Sequence, residues 1–178
     1  MVGYVNTLDE LETPRDRLTS IAVAHSVLAN HGLDGLGRGL TARHLAAARR
    51  VRDDLRSVFL AGDEAVAATI VNGLLARAKA QPAVAPDGDG WRITMHSPLR
   101  GVGPLTAAFA GALAGVLASG AGDRLGVCAG HPCQCVYVDA TRSARQRYCC
   151  ELCNDRAASA AYRRRRSRPP HSSSTSSM

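Results

Sequence analysis

The stretch YCCELCNDR, Tyr148 to Arg156, carries three cysteines in five residues, and Cys128, Cys133 and Cys135 lie just upstream, so all six cysteines fall within 26 residues. Thiols this dense can serve as disulfide partners, as a redox pair or as metal ligands. A disulfide framework needs an oxidising compartment. The N-terminus MVGYVNTLDELE is acidic and has no apolar run after a basic start, so no secretory signal is expected. A redox pair such as Cys150-Glu-Leu-Cys153 belongs after a strand in a thioredoxin-like βαβ unit, and no such pattern is present. Two cysteine pairs flanking a short hairpin point instead to a metal, and to zinc among metals.

The segment also needs a metal in order to fold. Residues 127–156 offer only Val127, Val136, Tyr137, Val138, Tyr148 and Leu152 as sizeable apolar groups, too few for a core of their own. A tetrahedral zinc contributes on the order of 10 kcal/mol or more to ordering such a unit. CVYVDAT alternates like a strand, RSAR turns, QRYC is expected to return as its partner, and ELCNDRAASAAYRRRR has helical composition. A knuckle, a hairpin and a cysteine pair entering a helix make a treble-clef-like unit, with thiolates facing the positive end of the helix dipole. Spacing alone leaves the ligand set open, since Cys150-x2-Cys153 is the commoner zinc spacing and Cys149-x3-Cys153 is also feasible.

Charge is segregated toward the same end. Residues 1–123 carry 12 basic and 12 acidic side chains, so the whole formal charge of +7 resides in residues 124–178. A neutral body with a basic end suits a polyanionic partner, nucleic acid above all, or serves as a solubilising tail. Arg142, Arg145 and Arg147 are expected on the hairpin, while Arg163, Arg164, Arg165, Arg166 and Arg168 extend the helix into a basic tail. Zinc with four thiolates carries about −2, so some arginines balance the cluster and the rest are free for phosphates. Arg156 is expected to pack against the knuckle or the helix end.

The body must position this module. Apolar residues make up 46% of the chain but aromatics only 4%, so its core must be Ala, Leu and Val, which favours close-packed helices. A short strand is expected near YVNTLD. A first helix is capped by Thr13, Thr19 or Ser20, with Leu18, Ile21, Ala22, His25, Leu28 and Ala29 inward and its end at Gly32. GLDGLGRG reads as a loop. A second helix runs from about Thr41, burying Leu45, Ala48, Val51, Leu55, Val58 and Phe59. A third runs from Asp63, burying Ala67, Ile70, Val71, Leu74, Leu75 and Ala78, until Pro82 stops it. Ala83–Ala85 and Trp91–Met95 form a hairpin about Asp87-Gly88-Asp89-Gly90. The uncharged segment at 104–119 has its large apolar residues on one face, which predicts a buried helix and no membrane span. The expected class is mainly α with a small β-hairpin (α+β). The helical domain covers residues 1–122, the zinc finger with its basic helix 123–167, and a disordered tail 168–178.

CAGHPC, VYVDATRSARQR, YC and CNDR follow in step the pattern of the CGNR zinc finger, which residues 127–166 resemble. The preceding body is similar to that finger's usual companion, the ABATE domain of stress-induced transcription regulators. The resemblance implies Cys128, Cys133, Cys149 and Cys153 as zinc ligands and leaves Cys135 and Cys150 as packing residues. It departs at the motif that names the finger, where Gly-Asn is Asn154-Asp155 and only Arg156 is kept.

Other chemistry finds little support. His131 lies between ligands in a Gly-His-Pro turn, His25, His44 and His96 are scattered, and no P-loop, dinucleotide fingerprint or nucleophile elbow is present. Four cysteines close a zinc site that catalysis would leave open, so no enzyme is expected. Asn6, Arg15 and Asp16 are candidate pocket residues that capping or ion pairing explains equally well. The expected protein is a cytoplasmic transcription regulator that binds nucleic acid, DNA before RNA, through the finger. Its helical domain would sense a signal or form a homodimer. A protein-interaction module and a thiol-based redox sensor using Cys135 and Cys150 are the alternatives.

Overall fold

A computed structural model describes residues 1–167. Arg168 and the tail expected at 168–178 lie outside the described residues.

The body is a helical layer built around α6 (Gly103–Ala118). Leu105, Phe109 and Leu113 of α6 are fully or almost fully buried. Against them pack α4 (Leu45–Leu60) and α5 (Glu64–Arg77), through Ala48, Leu55 and Phe59 and through Ala67, Val71 and Leu74. These stripes match the 3.6-residue periodicity of the sequence. Ile70, Leu75 and Leu45 are only half-buried at its margin. Thr41 caps a short 3-10 turn, Ala42–His44, in a reciprocal box with His44, and α4 follows directly. Asp63 caps α5 by accepting from the N–H groups of Ala65 and Val66, at 2.8 and 3.0 Å.

The N-terminal segment differs from expectation. Val2–Val5 form a single helical turn, α1, where a strand was expected. Tyr4 and Val5 are adjacent and both buried, which a strand's alternation forbids and a helical turn allows. The Tyr4 hydroxyl donates to the Ala48 carbonyl at 2.8 Å and its ring tilts against Phe109. Thr13 caps nothing. The chain from Leu8 to Asp16 closes a loop through an isolated antiparallel bridge, and the Asp9 N–H donates to the Arg15 carbonyl. Helix α2 spans Ile21–Ala29, with Ser20 at its cap position. Ile21, Ala24 and Leu28 face inward, whereas Ala22, His25 and Ala29 are exposed. Leu18 precedes the helix and so does not set its phase. GLDGLGRG contains one helical turn, α3 (Asp34–Gly37), rather than a plain loop.

Helix α5 ends five residues before Pro82, at Arg77. Lys79 adopts a positive φ, and the Ser97 hydroxyl takes up the Ala78 carbonyl at 2.6 Å. Pro82 lies instead in β1 (Gln81–Asp87), which pairs with β2 (Gly90–His96) around Gly88-Asp89, a longer ribbon with a tighter turn than expected. The two-residue turn makes Asp87 and Gly90 a hydrogen-bonded pair. Pro82 and Pro86 therefore fall at the alternate positions, where a missing N–H costs no ladder bond. Gly111 admits the ribbon onto α6, since a Cβ there would lie 2.5 Å from Met95 Cγ. Among the described residues no helix is long and apolar enough to cross a membrane.

Beyond α6 a 3-10 turn, Gly122–Arg124, leads into β3 (Leu125–Val127). It pairs antiparallel with β4 (Val136–Val138), and α7 (Glu151–Arg166) ends the described chain. The expected return of QRYC onto the VYV strand does not occur. The partner of β4 precedes the first cysteine pair, so that pair sits inside the hairpin loop. The reason is the buried Asp139 carboxylate, which accepts from the Thr141 N–H and hydroxyl and from the Gln146 N–H at 2.6–2.7 Å. It winds residues 140–146 into a loop where a hairpin turn was expected. Chiefly the Thr141 hydroxyl, then these N–H groups, hold its carboxyl below the ordinary range.

Candidate metal centre and basic face

Strand β3 delivers Cys128, the loop before β4 delivers Cys133, and the start of α7 delivers Cys149 and Cys153. Gly126 makes this hairpin possible, because the Tyr137 ring lies where a Cβ at 126 would be, 2.4 Å from its Cζ. The register Val127↔Val136 continues into the Cys128 N–H, which donates to the Cys135 carbonyl at 2.9 Å. Peptide N–H groups of Gly130 and Cys149 point at Cys128 Sγ, both at 3.4 Å, and that of Cys135 points at Cys133 Sγ at 3.5 Å. Such bonds favour thiolates. Cys150 caps α7 in extended conformation, so Cys149 and Cys153 meet the positive end of a 16-residue helix.

The sulfurs of Cys128, Cys133, Cys149 and Cys153 all lie within 4.8 Å of one another. Cys133 and Cys149 are 3.7 Å apart, and Cys149 and Cys153 are 3.8 Å apart. Zn–S bonds of about 2.3 Å in a tetrahedron place sulfurs about 3.8 Å apart, whereas a disulfide needs about 2.05 Å. The donor set therefore fits zinc. Burial, and then contact with the other sulfurs, pushes the Cys149 thiol up strongly and Cys153 up to about 12. Burial opposes ionisation of Cys128 too, but the Cys149 and Gly130 N–H groups outweigh it and lower that thiol. Four sulfurs this close cannot all ionise unaided, and a divalent cation relieves that conflict.

Cys135 and Cys150 stand outside the quartet. Cys135 is buried, and desolvation, followed by the Cys133 sulfur and the Asp9 carboxylate, drives its thiol upward. Cys150 is exposed and touches Cys149 at 3.8 Å. The N–H of Cys153 helps lower its thiol.

The finger is bonded into the body, a connection that sequence reasoning missed. Val136 belongs to the main apolar core, with Leu125, Val127 and Val138 packed against it. Asn6 pairs with the backbone of β4 in both directions. Its amide donates to the Val136 carbonyl at 2.9 Å and its Oδ1 accepts from the Val136 N–H at 2.8 Å. From α4, buried Arg56 donates to the Gln134 carbonyl at 2.6 Å, in the loop between Cys133 and Cys135, while its Nη1 is buried without a partner. Of the pocket candidates, Asn6 is thus a clamp, Asp16 pairs with Arg52, and Arg15 pairs with Glu10 at the surface. Replacing Asn6 with Ala strands both polar groups of Val136 and is expected to cost about 1–3 kcal/mol. Chemical denaturation with zinc retained should show this as a lower midpoint, and amide exchange of the Val136 N–H should quicken.

All the expected contact arginines within the described residues are exposed. The structure divides them among faces. Arg147 lies over the Tyr148 ring and, with Arg156, Arg163 and Arg164, lines a cavity between knuckle and helix. Arg166 turns to the other side of α7, over Tyr162. Arg145 borders a neighbouring concavity with Glu151 and Asn154, which Arg147 and Tyr148 also line. Arg142 projects from the 140–146 loop. Arg156, expected to pack, is exposed, and its side chain makes no hydrogen bond or ion pair among the described residues.

A strand–knuckle–strand unit and a helix N-terminus that gather four thiols define a zinc finger, here joined to a helical domain. Residues 2–120 match the ABATE family, described as "Putative stress-induced transcription regulator", and residues 124–166 match the CGNR zinc finger. The chain belongs to the ABATE family and carries a CGNR zinc finger, with zinc as its cofactor. No curated protein matches the chain.

Proposed function

We propose that this protein is a cytoplasmic transcription regulator that binds DNA through its finger, with Cys128, Cys133, Cys149 and Cys153 holding a structural zinc. The observation that carries the reading is α7. Only Cys153 of its 16 residues is buried, and its last turn is Arg163–Arg166. A helix of this length projects about 24 Å. A helix anchored at one end by metal and otherwise bare of core contacts is built to lie against something else. Its charge selects a polyanion. Four thiolates leave zinc no open position for substrate, so the metal supplies shape rather than catalysis. The helical domain would sense a signal or pair with a second copy. Few exposed aromatics accompany the arginines, which favours duplex DNA over single-stranded RNA.

The test is selection of oligonucleotides by the zinc-loaded protein, followed by titration of an enriched duplex against salt. Truncation after Ala161 is expected to weaken binding about a hundredfold or more near 0.15 M salt and to flatten the salt dependence. No enrichment, with little duplex affinity at that salt, would replace this reading with a module for acidic protein partners.

Exposed Cys150, in contact with Cys149, supports a second reading as a thiol sensor. Peroxide would convert Cys150 to a sulfenic acid that Cys149 attacks, forming a disulfide, expelling hydroxide and releasing zinc. Retention of reversible zinc release by Cys150→Ser would remove it.

A further inference from the structure

The cavity between the knuckle and α7 has a volume of about 740 Å³ and no carboxylate in its lining. Arg147, Arg156, Arg163 and Arg164 surround it, with His131 on the knuckle side. None of these four guanidinium groups enters an ion pair or donates a hydrogen bond among the described residues. Arg147 lies over the Tyr148 ring, at 5.9 Å, and also borders the neighbouring concavity that holds Glu151. Cys153 forms part of the wall, so the zinc–thiolate cluster of about −2 lies beside it. Four guanidinium groups exceed that charge by about two. A concave site with surplus positive charge and no internal counter-ion calls for an anion from outside.

The shape narrows the choice. At 100° per residue, Arg156, Ala160, Arg163 and Arg164 fall on one face of α7, and Ala157 and Ala161 adjoin it. Small side chains along the floor let a bulky chain approach the helix while the arginines reach around it. Arg156 and Arg163 are separated by two turns, about 10 Å along the axis. Their arms are long enough to converge on neighbouring phosphates, with sugars against the alanines. A lone free phosphate would leave most of the cavity empty.

We propose that this groove holds adjacent phosphates of one nucleic-acid strand, with Arg156 as a direct phosphate contact. The inference rests on the nucleic-acid reading above. It makes Arg147, Arg156, Arg163 and Arg164 the contacting set, whereas Arg165 and Arg166 belong to other faces of α7.

The test uses the full, zinc-loaded chain and a fluorescently labelled duplex of mixed sequence, with affinity measured across a salt series and zinc content checked for each variant. Arg156→Ala is expected to weaken binding about tenfold and to lower the slope of log affinity against log salt by about one. Arg156→Lys keeps the slope, and the pair Arg165→Ala with Arg166→Ala changes it least. Arg156→Ala binding like the wild type at full zinc content would overturn the groove, as would an equal loss from the Arg163/Arg164 and Arg165/Arg166 pairs. In both cases nucleic-acid binding itself would stand. A wild-type protein with no salt-dependent duplex binding removes both readings together.

Discussion

Cys133→Ser and Cys153→Ser are each expected to abolish stoichiometric zinc binding, whereas Cys135→Ser and Cys150→Ser should retain one zinc per chain. The split follows from geometry, because the sulfurs of Cys128, Cys133, Cys149 and Cys153 all lie within 4.8 Å of one another and Cys135 and Cys150 stand outside that group. The effect is large. Structural zinc contributes about 10–16 kcal/mol to small fingers, and the apolar groups around Cys128, Cys133, Cys135 and Cys153 cannot replace it. Loss of the metal should melt α7, seen as reduced helical circular dichroism, and, under the proposed DNA-binding function, should abolish duplex affinity with it. The body should weaken without unfolding, because Val136 and the strands β3 and β4 contribute to its core. Metal analysis of these reduced variants, with Cys149→Ser beside them, decides the matter. Zinc retained in Cys149→Ser and lost from Cys150→Ser would give the ligand position to Cys150 in place of Cys149.

The parts of this fold legible in the sequence are those governed by periodicity. The stripes of α4, α5 and α6 bury 3.6-residue repeats, and the structure returns them nearly residue for residue. The Asp87–Gly90 segment likewise announced the β1–β2 ribbon, which turns at Gly88-Asp89. Failures came where tertiary contacts outweighed local pattern, as in α2, where Ala22, His25 and Ala29 face outward. Asp139 reads as the polar end of a strand, but three hydrogen bonds to it decide that residues 140–146 form a loop. Tyr4 and Val5 look like strand residues until their joint burial against α4 and α6 requires a helical turn.

The metal quartet was half legible. Cysteine density announced zinc, but spacing leaned toward Cys150, whose Cys150-x2-Cys153 step is the commoner zinc pattern, and the choice of Cys149 came from family resemblance. The physical discriminator is orientation: the helix cap turns Cys150 outward and leaves Cys149 facing Cys133. The joining of finger to body was not legible at all. Asn6 and Val136 are 130 residues apart, and nothing in either neighbourhood signals the pair. With Arg56 reaching the ligand loop, that contact means that the state of the metal and the stability of the helical domain are linked.

Asp16→Asn should produce the second large loss of stability, and this time in the body. Arg52 is 3% exposed on α4, and Asp16 engages both of its terminal nitrogens, at 2.5 and 3.2 Å, while accepting the Leu18 N–H at 3.0 Å. Asp53 offers Arg52 a further bond but is itself largely exposed. Breaking a buried pair from one side costs about 3–5 kcal/mol. With Asp16 31% exposed and Asp53 remaining as partial counter-ion, about 2–3 kcal/mol is expected. For a chain of this size that lowers the melting temperature by roughly 5–10 °C. The pH dependence provides an independent check. Burial disfavours the Asp16 carboxylate, but hydrogen bonding and charge from Arg52, the Leu18 N–H and Arg49 outweigh it and hold the carboxyl below its ordinary value. A carboxyl depressed in the folded state stabilises the fold above its unfolded value of about 3.9, and that contribution is lost as pH falls through the folded value. The wild type should therefore lose stability more steeply than Asp16→Asn below about pH 4, and the two should converge in strong acid. Equal acid limbs for the two proteins would show that Asp16 binds Arg52 without contributing to stability.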